Sequence, residues 1–157
     1  MSSIRRLIPD ELPRLRQFWV EHWGGEEMVI HGDVFRCEQL DGFVTDDWKG
    51  IVTFYVRDEE CEIVSLDSLN EGWGIGTKLI DTVLEEARAR NCKRVFLSTT
   101  NDNMRALRFY RKRGFELVAV HRDAVNESRK IKPSIPLIDY NNIPLRDEIE
   151  LEMTLNA

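Results

Sequence analysis

The chain of 157 residues has only three cysteines, Cys37, Cys61 and Cys92, and no two of them are closely spaced. That excludes a disulfide framework and a Cys-x-x-Cys metal or redox site, and leaves buried thiols in a reducing cytosol as the expectation. Long apolar runs are missing as well; the longest falls far short of the roughly 20 residues that a membrane span needs. Arginines and Pro9 interrupt the N-terminal stretch, so no apolar signal core is read there. A basic excess is also absent. Lys and Arg number 22 against 28 Asp and Glu, for a net charge of −6. This argues against charge-driven binding of nucleic acid and permits a cationic partner such as an amine. The histidines His22, His31 and His121 lack metal-ligand spacing, so no metal is expected. The expectation is a soluble cytoplasmic protein with neither nucleic-acid nor membrane partners.

What is present is enough for a core: 42 % of residues are hydrophobic and 9 % aromatic. The length suits one domain spanning residues 1–157. Residues 3–7 read as a short strand and 9–23 as a helix, with Leu12, Leu15, Trp19 and Trp23 on one side, Asp10 as cap and Gly24-Gly25 as stop. Residues 26–39 show no period and read as a mobile loop. Residues 40–45, 49–57 and 61–66 read as three strands with short connections, an antiparallel meander.

The pattern then changes. Ile75, Leu79, Ile80, Val83, Leu84 and Ala87 mark one face of a long helix ending near Arg90-Asn91. A short buried strand at 95–98, a helix at 103–113 closed by Gly114 and a strand at 116–120 follow. This order favours a parallel crossover in the middle of the sheet. Residues 123–147 read as loop-rich, with Pro133, Pro136 and Pro144. The last strand alternates Ile149, Leu151, Met153 and Leu155 with Glu148, Glu150, Glu152 and Thr154, the pattern of a half-solvated strand.

The most informative local feature is Glu71-Gly72-Trp73-Gly74-Ile75-Gly76-Thr77, between a strand and the long helix. Glycines let a ligand approach the main chain, and the free N–H groups of a helix start suit a pyrophosphate. The spacing fits neither a Walker A loop nor a dinucleotide fingerprint, because Thr77 precedes Lys78 and a single residue separates Gly74 from Gly76. About thirty residues on, Asn103, Ala106 and Tyr110 share a helix face.

Together, Glu71-x-x-Gly74-Ile75-Gly76-Thr77 and Asn103-x-x-Ala106-x-x-Phe109-Tyr110-x-x-x-Gly114-Phe115 resemble the GNAT superfamily of acyl-CoA-dependent N-acyltransferases. The match is clear over residues 60–120. The resemblance implies a single-domain mixed α/β fold, its sheet mostly antiparallel with a central parallel strand pair, flanked by helices. It implies acetyl-CoA as donor and direct transfer to a primary amine. The main chain of Leu66 and Asp67 would bond the pantetheine arm. The N–H groups of Gly72, Trp73, Gly74, Ile75, Gly76 and Thr77 would hold the pyrophosphate. Asn103 would contact the pantetheine or acetyl end, and Tyr110 would protonate the leaving thiolate. One departure is Glu71, where the family usually has Arg or Gln; its carboxylate is expected to turn away from the phosphates.

Acetyl transfer needs a neutral amine, so a carboxylate must accept its proton. Glu62 is the first choice, with Glu60 and Asp67 as alternatives; Glu62 also reads as a plain surface residue. Tyr110 has the chemistry of an acid, since a phenol with a pKa of about 10 donates at neutral pH. It also reads as a core tyrosine. Arg105, Arg108, Arg111, Lys112 and Arg113 form either a rim for phosphates or a solvated face. The acceptor is a small-molecule or peptide amine, its side of the site shaped by residues 24–39, where His31 could line a pocket, and 121–146. A homodimer is left open. The competing functions are a CoA-binding regulatory module without transferase activity and a binding protein for another phosphorylated ligand.

Overall fold

A computed structural model describes residues 3–69, 74–139 and 141–155. In chain order the elements are β1 (Ile4–Arg6), α1 (Leu12–Trp23), β2 (Glu27–Ile30), β3 (Asp33–Arg36), β4 (Asp41–Thr45), β5 (Gly50–Arg57), β6 (Glu60–Ser68), α2 (Ile75–Ala89), β7 (Arg94–Thr100), α3 (Met104–Lys112), β8 (Glu116–His121), α4 (Ala124–Ile131) and β9 (Glu148–Thr154). Contacts group them into two compact units. The first holds Met1–Met28, Phe35–Val95 and Thr154–Ala157; the second holds Val29–Val34 and Phe96–Met153.

In the first unit β1, β4, β5 and β6 follow one another in that order. All three pairings are antiparallel; those of β4 with β5 and of β5 with β6 are the expected meander, and β1 adds itself at the edge beside β4. Gly50, Val52 and Phe54 of β5 share the face on which α2 packs. The apolar stripe read for α2 is buried at Leu79, Ile80, Val83, Leu84 and Ala87. Phe43 stacks on Phe54 at 5.6 Å in the same core. Glu86 of α2 receives Arg6 and Arg90, each at 2.8 Å, which ties β1 to α2. The helix read from Pro9 instead opens with a 3-10 turn over Pro9–Glu11, and α1 begins at Leu12. Glu11, not Asp10, serves that start: its side chain accepts the Ile8 N–H at 3.0 Å.

Residues 26–39 are not the loop expected. β2 and β3 form a two-stranded hairpin whose tip belongs to the second unit. Its two central residues, His31 and Gly32, both have positive φ, 43° and 85°. That is the backbone sign of a tight hairpin turn.

In the second unit β9 lies between β7 and β8, and β8 pairs with β9 antiparallel. The solvated face expected for β9 is only partly so. Glu148 is buried, because the His31 N–H at the hairpin tip donates to both its carboxylate oxygens at 3.0 and 3.2 Å. Residues 123–147 also hold more order than was read. α4 buries Val125 and Ser128. From its last turn Arg129 donates to the carbonyls of Ile135, Pro136 and Leu145 at 3.1, 2.7 and 2.8 Å. Asn101 adds hydrogen bonds to Pro144 O and from the Arg146 and Asp147 N–H groups.

Arg129→Met therefore frees three carbonyls at once while keeping the aliphatic stem. The cost is about 1–3 kcal/mol, most of it in the segment and not in the sheet. Limited proteolysis of the variant is expected to cut within residues 132–146 well before the rest of the chain opens. Equal protease resistance in variant and wild type would show that the segment is ordered by something else.

Candidate active site

Of the residues singled out from sequence, Glu62, Leu66, Asp67, Gly74, Ile75, Gly76 and Thr77 lie in the first unit, and Asn103 and Tyr110 in the second. Gly72 and Trp73, with Glu71, lie outside the described residues.

β6 is interrupted in its pairing with β5. Ile63 opposes Phe54 and Ser65 opposes Thr53, so Val64 is an extra residue, a β-bulge. A bulge leaves backbone groups out of the ladder and turns the strand. Past it, Leu66 opposes Val52 and Asp67 opposes Ile51. Glu62, Ser65 and Asp67 thereby share the face opposite α2, where the Ser65 and Thr53 hydroxyls bond at 2.6 Å. The sequence alone also allows Glu62 to be a surface residue. It is 5 % exposed, which removes that alternative. Asp67 is half-buried at the strand end, and its Oδ2 accepts the indole N–H of Trp23 at 3.0 Å. Burial pushes the Asp67 carboxyl above its ordinary pKa, against the Trp23 hydrogen bond and the field of His22.

Helical spacing puts Trp23 on the packed side of α1 with Leu12, Leu15 and Trp19. Leu15 and Trp19 do fill that role, but Trp23 is 45 % exposed. Its indole serves Asp67, a residue 44 positions away. Nothing local in the sequence marks that pairing.

Gly74 precedes α2 in the left-handed region at φ 73°, the reason a glycine stands there. The first helical N–H groups, from Ile75 to Thr77, have no carbonyl four residues back within the helix. They form the positive end of a fifteen-residue helix, suited to an anion. Gly76, in the first turn, is buried.

In the second unit Asn103 is the N-cap of α3, its Oδ1 accepting the Ala106 N–H at 3.1 Å. Tyr110 is buried, with Phe109 and Phe115 edge-on at 5.1 and 5.3 Å. Arg105, Arg108, Arg111 and Lys112 are exposed. Arg113 differs: its guanidinium lies 3.7 Å over the Phe109 ring and donates to Phe109 O. It braces the helix end and does not join the exposed basic set. No group of His, Cys, Asp or Glu among the described residues is arranged to hold a metal ion.

Residues 12–115 match the Acetyltransferase (GNAT) family. The chain belongs to that family. The GNAT chain is also 45 % identical over 139 residues to YdhI, an uncharacterized protein of Bacillus subtilis (strain 168), with 86 % of this chain and 87 % of that one covered. Among solved structures it resembles the IAA acetyltransferase from Bacillus cereus ATCC 14579, at TM-score 0.71 and 22 % identity over 99 % of this chain and 100 % of the other. A GNAT family acetyltransferase from Elizabethkingia anophelis with acetyl-CoA bound aligns at TM-score 0.68 and 22 % identity, covering 98 % and 97 %. These likenesses show the fold that the resemblance implied: mixed α/β, mostly antiparallel, with one parallel pair. No helix among the described residues is long and apolar enough to cross a membrane.

Proposed function

We propose that this GNAT chain is an N-acetyltransferase that moves the acetyl group of acetyl-CoA directly to a primary amine on a small-molecule or peptide acceptor, with residues 1–157 acting as one domain in the cytosol. The observation that carries the reading is the start of α2: a left-handed Gly74 and a buried Gly76 at the N-terminus of a fifteen-residue helix that follows a bulged strand in the chain, in a protein of this family. Those residues fit a pyrophosphate and its pantetheine arm. Acetyl-CoA supplies the thioester carbonyl that the amine attacks.

In this proposal the N–H groups from Gly72 to Thr77 hold the diphosphate, and the main chain of Leu66 and Asp67 aligns the arm beside β6. Asn103 uses its Oδ1 as a cap, which leaves its amide N–H group for the donor's acyl end. Glu62 accepts the proton that the attacking nitrogen loses as the C–N bond forms. Tyr110 gives its phenolic proton to the sulfur as the C–S bond breaks. No metal takes part.

Acetyl-CoA is expected to raise the melting temperature, since a ligand selective for the folded state must stabilise it; at a hundred times Kd the gain is about 2.7 kcal/mol. Release of free CoA thiol in the presence of an amine panel then separates the enzyme from a CoA-binding regulator. A thermal shift without thiol release from any amine favours the regulator. No shift with millimolar acetyl-CoA overturns both.

A further inference from the structure

Burial of the Asp67 carboxyl outweighs the help its charge receives from its neighbours. Glu11, Glu38, Glu86 and Asp147 all sit below the ordinary carboxylate range. Hydrogen bonds from Arg5 and Arg146 are the leading causes for Glu11 and Asp147. Asp67 moves the other way because burial dominates. Among the described residues its carboxylate has one hydrogen bond, from Trp23 to Oδ2, and no salt bridge. His22 on α1 is the only charged or titratable group there that acts on it through space. Taking a carboxylate out of water without a partner cation is costly. A buried carboxylate with its pKa raised in this way is a candidate binding group for a ligand cation.

Asp67 is the last residue but one of β6, on the face opposite α2 and beside the Thr53–Ser65 hydroxyl pair. Trp23 occupies one carboxylate oxygen and leaves Oδ1 without a hydrogen bond among the described residues. The partly open indole also offers an aromatic wall for a cation. We propose that Asp67 binds the ammonium group of the acceptor, with Trp23 as the positioning residue that fixes its carboxylate. The substrate class is then a primary alkylamine that arrives protonated, in preference to arylamines or alcohols. This rests on the transferase reading and assigns a residue to its acceptor side. The bound ammonium first gives one proton to water, which leaves the neutral amine; Glu62, buried further back on the same face, accepts the second as the C–N bond forms.

The test uses n-butylammonium as probe and n-butanol as its neutral counterpart, with the whole protein in solution. Each of the four tryptophans gives an indole N–H resonance, and Trp23→Phe identifies the one bonded to Asp67. n-Butylammonium should shift that resonance saturably; n-butanol should not. Asp67→Asn, close in size, should weaken n-butylammonium roughly tenfold or more, the worth of a charge-assisted hydrogen bond. A second measurement follows the Asp67 carboxyl by carbon-13. Trp23→Phe should move its titration to higher pH, because the indole stabilises the carboxylate, whereas n-butylammonium should move it to lower pH. An unshifted indole resonance, or equal binding by Asp67→Asn, overturns the proposal. None of this requires acetyl-CoA. Failure here with thiol release intact removes only the role of Asp67, and the reverse result removes only the transferase.

Discussion

Tyr110→Phe is expected to lower turnover about a hundredfold while leaving the affinity for acetyl-CoA nearly unchanged. Tyr110 is 5 % exposed, and Phe109 and Phe115 hold its ring edge-on. Removing one hydroxyl leaves that packing in place, so the ring of the variant stays where it was. General-acid catalysis is worth roughly a hundredfold to ten-thousandfold. The lower end applies here because a thiolate, whose conjugate acid has a pKa of about 8.5, leaves passably without help. The pH profile separates an acid from a packing residue. An acid must be protonated to act, so wild-type turnover falls on the alkaline side and the variant loses that limb. Equal turnover in both proteins at every pH would remove Tyr110 from the mechanism. A fall in acetyl-CoA affinity with turnover preserved would make it a donor contact instead.

The parts that were legible in sequence were those with local causes. α2 was readable because its stripe repeats at helical spacing and is buried from Leu79 to Ala87, with Ile75 half-buried at its start. The β4–β6 meander was readable because its turns are short and polar. Both motif segments were readable because their spacing is contained within one turn or one helix. The hairpin over residues 27–36 was not, since each strand has four residues and its turn is His31-Gly32, not one of the common Asn-Gly or Asp-Gly pairs. α4 escaped because its eight residues bury only Val125 and Ser128 and its order depends on distant carbonyls. Period-2 alternation told which way Glu148 points, but not that the hairpin tip covers it. The Trp23–Asp67 contact was hidden for the same reason, being a tertiary pairing with no local sequence signature.

Gly50→Ala links the fold to the donor site, and its expected effects are large on both. A Cβ at Gly50 would collide with Ile75 Cγ2, and would stand 3.1 Å from Leu79 Cδ1 and 3.3 Å from Thr45 Cγ2. Ile75 opens α2 and is β-branched, so its side chain cannot swing away cheaply. The first turn of the helix must therefore lift from β5. Overpacking of this kind costs about 1–3 kcal/mol, or roughly 2–12 °C in melting temperature for a chain of this size. The lifted turn is also the one whose N–H groups hold the diphosphate in the proposed function, so acetyl-CoA affinity should fall about tenfold, the worth of roughly 1.4 kcal/mol. Gly42→Ala provides the control. Its Cβ would meet Leu7 Cδ1 at 2.5 Å and Val52 O at 2.9 Å, a comparable crowding at β4 that does not touch α2. It should lower the melting temperature and spare acetyl-CoA binding, measured by calorimetry on the folded protein. Equal losses of affinity in the two variants would mean that the effect is global destabilisation. An unchanged affinity in Gly50→Ala, with its melting temperature lowered, would move the donor phosphates away from the α2 N-terminus.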